Sequence, residues 1–140
     1  MSTGIASFLV AACAAIILVL GTLHLLYTFR GSKLDPREAG TRQAMERSSL
    51  RITRETSVWR AWIGFNASHS FGLLLFALIY GYLALAAPGV LFGSPFLCVL
   101  GLTLLIGYIV LARLYFFSVP FRGVVLSAVL YVAGLVAAAA

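Results

Sequence analysis

Residues Trp62–Leu73, WIGFNASHSFGL, lie inside the longer stretch Arg54–Leu85 and form the polar cluster of an otherwise apolar run. Set on a helix at 100° per residue, Trp62, Asn66, His69, Leu73, Phe76 and Tyr80 share one face. Gly64, Ser68 and Gly72, spaced four apart, fall on another. Small residues at that spacing let a second backbone approach closely, which is how helices associate where lipid removes the ordinary hydrophobic drive. An imidazole and a carboxamide are costly in hydrocarbon unless paired, so Asn66 and His69 are expected to face protein or a wet cavity. Any chemistry in this chain belongs here.

Outward from this cluster, the composition fixes the class. Of 140 residues, 62% are hydrophobic and 10% charged, far from soluble averages. Crossing a hydrocarbon core takes about 20 helical residues. Four stretches are long enough, over about 5–29, 58–86, 95–116 and 119–139. None alternates in the manner of a barrel strand, and helices satisfy their own backbone groups in lipid. The expected fold is all-α, a bundle of four transmembrane helices in one membrane domain spanning 1–140. A short amphipathic helix is expected in the hydrophilic loop 30–57.

Charge then orients the chain. Arg30, Lys33, Arg37, Arg42, Arg47, Arg51, Arg54 and Arg60 lie between the first two spans, and Arg113 and Arg122 flank the last connection. The tail before Ile5 and the connection Ala86–Ser94 carry no charge. With four crossings every cation falls on one side, which the positive-inside rule makes cytoplasmic, leaving both termini outside. Arg30, Trp59, Arg60, Arg113 and Arg122 are the expected interface residues, with Trp59 and Trp62 in the headgroup belt. The net charge of +6 is thus a topology signal and an attraction to anionic lipid, and no nucleic-acid partner is expected. No Lys or Arg precedes the first apolar run, and that run is too long for a signal peptide, so a retained helix is expected.

In chain order, the first span becomes polar at Gly21, Thr22, His24, Tyr27 and Thr28. His24 lies six residues inward from Arg30, roughly 9 Å at 1.5 Å per residue, and His69 lies about 10 Å beneath Trp62. The two imidazoles therefore reach similar depths from one surface. In the loop, Asp35, Pro36 and Glu38 have the pattern of a helix start, with Ala39, Ala44 and Met45 as the apolar content of a helix running to about Arg47. Ser48 and Ser49 break it, and Thr53 is the expected cap of the next helix. Pro88 and Gly89 mark a turn, and Ser94 before Pro95 starts the third span. That span has no ionisable group before Arg113 apart from Cys98 and Tyr108, and its pattern is that of scaffold. Gly123, Ser127, Tyr131 and Ala138 approximate a close-packing stripe on the fourth. Cys13 and Cys98 lack any C-x-x-C pattern and are expected to be inert packing thiols.

The segments GTLHLLYTFRG, Gly21–Gly31, and TRETSVWRAWIGFNASHSFG, Thr53–Gly72, together resemble a family of small bacterial four-helix integral membrane proteins. The resemblance spans most of the chain and implies four spans and the bacterial inner membrane. It implies no reaction, ligand or cofactor.

The functional expectation is a non-enzymatic protein with a polar His/Asn/Tyr site near the cytoplasmic side, formed by His24, Tyr27, Thr28, Trp62, Asn66, His69 and Ser70. Either these groups bond one another and register two helices, or they receive a lipid or small hydrophobic ligand. The alternative in another class is electron transfer through non-covalent haem b between His24 and His69, against which stands the usual 8 to 10 Å spacing of adjacent helices. A small transporter subunit is a further alternative, although all four carboxylates lie in the loop. Two histidines without a third ligand fall short of a metal site, and no nucleophile, base and acid converge for hydrolysis. Asn66-Ala67-Ser68 matches a glycosylation acceptor only formally, because it lies within a membrane helix. Homo-oligomerisation through Gly64, Ser68 and Gly72 is the expected alternative to packing within the chain.

Overall fold

A computed structural model describes residues 2–38 and 40–140; the expectation placed on Ala39 lies outside them. The described residues form six helices and one two-stranded sheet: α1 Ser2–Phe29, α2 Thr41–Arg47, β1 Ser49–Leu50, β2 Thr53–Ser57, α3 Val58–Ala86, α4 Pro88–Gly93, α5 Pro95–Tyr115 and α6 Ser118–Ala139. Four of the helices, α1, α3, α5 and α6, are long and apolar enough to cross a membrane. The chain thus fits a small multi-pass membrane protein.

Its contacts divide it into two compact units, Met1–Leu20 with Leu73–Ala140, and Gly21–Gly72. In the first unit, side-chain shape sets the packing. Tyr131 is wholly buried, its ring edge-on to Tyr80 at 5.8 Å, and Tyr80 stacks on Phe76 at 4.6 Å. Both tyrosine hydroxyls reach the first turns of α5: Tyr80 donates to the Leu97 carbonyl at 2.8 Å and Tyr131 to that of Cys98 at 3.2 Å. Gly101 makes the approach possible, since a Cβ there would run into the Tyr131 phenol and lie 2.7 Å from the Tyr80 ring. On α6, Gly134 gives the same service to α1, where a Cβ would come within 2.8 Å of Val10. Ser127 and Tyr131 of the expected α6 stripe are buried. Both cysteines are free; Cys13 is buried, and Cys98 donates to the Leu91 carbonyl at 3.4 Å.

At the connection between α3 and α5, the expected turn at Pro88 and Gly89 is instead the short helix α4, whose Leu91 is fully buried. Ser94 caps α5 by accepting from the Leu97 N–H at 3.4 Å, with Pro95 in the first turn where a missing N–H costs nothing.

The second unit departs from expectation in the loop. Its helix starts at Thr41, not at Pro36, because Gly40 has a left-handed φ of 97° that breaks the chain direction. Among the described residues Asp35 caps no helix, and its carboxylate accepts from Arg42 at 2.9 Å. The segment read as a simple break is an antiparallel hairpin, with Ser49 paired to Ser57 and Leu50 to Thr53. Thr53 is therefore a strand residue, and its hydroxyl accepts from the Glu55 N–H at 3.1 Å. The cap of α3 is Ser57, whose hydroxyl accepts from the Arg60 N–H at 3.3 Å.

Candidate functional site

The polar cluster forms within Gly21–Gly72, where the last turns of α1 meet the first turns of α3. His24 Nε2 lies 3.0 Å from Asn66 Oδ1. The protons can be assigned by elimination. Asn66 Nδ2 donates to the Trp62 carbonyl one turn back at 2.8 Å, so the other end of that amide is its oxygen, an acceptor. His24 must then carry a proton on Nε2 and donate it. The His69 ring stands edge-on to that of His24, with centroids 5.3 Å apart and planes at 75°. The imidazoles thus meet, as their equal depth predicts, and a carboxamide fixes one of them.

The other candidate residues do not converge on the pair. Thr28 is buried, but its hydroxyl donates to the His24 carbonyl at 2.8 Å. Ser70 is wholly buried and donates to the Asn66 carbonyl at 3.0 Å. Both return to their own helix four residues back, satisfying themselves without joining helices. Even so, their positions are informative. Each donates to the backbone of a residue in the His24–Asn66 bond and so adds a bond at the two ends of that link. Tyr27 lies under the Lys33 ammonium, 4.0 Å from ring centre to Nζ. Trp62 contributes its backbone carbonyl, while the residue as a whole remains 41% exposed.

One contact network was missed from sequence. Arg42 donates through Nη1 to Asp35 at 2.9 Å and through Nε to Glu46 at 3.0 Å, and its guanidinium lies 4.7 Å over the Trp59 ring. The hydrogen bond to Glu46, helped by Asp35, pushes the Arg42 guanidinium above its ordinary value, so it stays charged. The i,i+4 spacing of Arg42 and Glu46 was a legible signal; the reach to Trp59 was not. Of the residues expected at the membrane interface, Arg30, Arg60, Arg113 and Arg122 are all exposed.

Chemically, the arrangement is an imidazole hydrogen-bonded to a carboxamide, with a second imidazole as aromatic neighbour. Edge contact between the two imidazoles leaves no gap between them for a porphyrin, whose iron takes its axial ligands on opposite faces. No group of three or more His, Cys, Asp or Glu side chains suited to a metal ion occurs among the described residues. On the small-residue face of α3, Gly64 and Ser68 are exposed, and a Cβ on Gly64 would meet nothing within 4 Å. Comparisons with known protein families, with curated proteins and with solved structures give no match to this chain.

Proposed function

We propose that this chain is a non-enzymatic membrane protein whose His24, Asn66 and His69 lock the ends of α1 and α3 together near the cytoplasmic face, holding the basic segment Arg30–Arg60 between them. One observation carries this reading: the 3.0 Å bond from His24 to Asn66 is a side-chain link between the two helices, while Thr28 and Ser70 bond to their own helices. A ligand site would keep polar groups available, whereas here hydroxyls, carboxamide and one imidazole are already committed. The clamp also accounts for the placement of the loop. Its two ends leave Phe29 and enter Val58, each within a few turns of the bond.

Interhelical hydrogen bonds in membranes contribute about 0.6 kcal/mol on average, and up to about 1.7. A double-mutant cycle of His24→Ala and Asn66→Ala, read by unfolding of the purified protein in mild detergent, should therefore give a coupling of about that size with the native fold kept. Strict additivity overturns the clamp. Native mass spectrometry of gently purified protein separates the alternative, because an added mass lost in the His69→Ala variant without loss of stability supports a lipid or small-molecule site.

A further inference from the structure

The hairpin between α2 and α3 carries an apolar side chain at its tip. Arg51 and Ile52 make the turn from β1 to β2, and Ile52 is 89% exposed. Arg51 and Arg54 on either side are exposed too. Among the described residues the ion pairs are those of Arg42 with Asp35 and Glu46, so neither flanking guanidinium has a carboxylate against it. Residues 30–60 hold eight cations and four carboxylates, and two of the four are occupied by Arg42 alone. The ribbon lacks the features that make a hairpin stable in water. Among the described residues none other than glycine has a positive φ, so its two-residue turn is not the type I′ that matches strand twist. Its register also slips between Ser49 and Leu50, and an isolated two-stranded hairpin is marginal at best. At its base the Val58 N–H donates to the Ser48 carbonyl at 2.8 Å. The ribbon therefore departs from the first residue of α3, next to Trp59.

We infer that this tip is a contact for anionic phospholipid: Ile52 enters the acyl boundary of the leaflet while Arg51 and Arg54 engage headgroup phosphates. The chemistry is complementary. A guanidinium presents a planar fork of donors that matches a phosphate, and its alkyl stem tolerates apolar surroundings. The headgroup layer is roughly 5 to 8 Å deep on each side of a bilayer, deep enough to hold both strands of a ribbon lying along it. The inference rests on α1 and α3 crossing a membrane and not on the histidine clamp, whose failure would leave it standing.

The test is amide hydrogen exchange of residues 49–57 in the full-length chain, reconstituted in nanodiscs of phosphatidylcholine alone or with phosphatidylglycerol. Exchange should slow in the anionic discs, by about fivefold for each arginine engaged. The slowing should be lost in Arg51→Gln/Arg54→Gln and in Ile52→Ser, with α3 exchange unchanged in both. These side chains lie outside every helix, so the variants keep the spans intact. Equal exchange in the two discs overturns the inference. So does equal protection in neutral discs by inorganic phosphate, which would mark a free-anion site, or by polyglutamate, which would mark an acidic polypeptide as the partner.

Discussion

The two units of this chain solve the same problem by different means. In the unit of residues 1–20 and 73–140, the close contacts are steric, with Tyr131 seated against Gly101 and Val10 against Gly134. In the unit 21–72 they are polar, with His24 on Asn66, Lys33 over Tyr27 and Arg42 shared by Asp35, Glu46 and Trp59. Lipid tails are as apolar as leucine, so burial alone does not hold helices together in a membrane. In the first unit shape acts together with two tyrosine hydroxyl bonds, and in the second the directional bonds predominate. The difference places tolerance to mutation in the second unit and intolerance in the first.

The sharpest way to break this comparison is Gly101→Val. A side chain there meets two tyrosine rings that are themselves buried, and we expect a loss of about 3 kcal/mol or more in detergent unfolding. Gly107→Val on the same helix meets open space and should leave stability nearly unchanged, since valine is no worse a helix former than glycine, so equal losses at the two positions would refute the steric account. Next in size is Tyr131→Phe, which keeps the ring but removes the bonds to Leu97 and Cys98. It should cost about 1 kcal/mol, and the His24–Asn66 cycle follows at about half that coupling. The smallest effect belongs to Arg42→Gln, whose own side chain is half exposed. It should alter stability only at low salt and become silent at high salt, and a loss that persists at high salt would show that the stack on Trp59 is the stronger of its contacts.

The four long helices were legible because apolar length is a strong signal that needs no tertiary information. The pairing of the His24 and His69 rings was legible too, since the rise per residue is fixed and Arg30 and Trp62 offered references for placing both at a similar level. The partner of each imidazole was not. Choosing Asn66 for His24 requires knowing how the helices are rotated, and no periodicity encodes that to within a hydrogen bond. Tyr27 was assigned to the site on its helix position, but a flexible lysine six residues on takes its ring. The loop misled for a different reason. Asp35-Pro36-Arg37-Glu38 is a fair helix start in isolation, and only the Arg42 guanidinium, seven residues away, draws Asp35 elsewhere. Thr53-Arg54-Glu55-Thr56-Ser57 is short and polar, so nothing but its pairing with Ser49 and Leu50 marks it as a strand.

The placement of the indoles provides a built-in reporter. Both tryptophans of the chain, Trp59 and Trp62, belong to residues 21–72, and one of them lies beneath a guanidinium. Emission excited at the red edge, where tyrosine does not absorb, therefore follows that portion alone, while circular dichroism follows all the helices. Melting curves from the two signals that separate on heating would give each portion its own transition, without a single label being introduced.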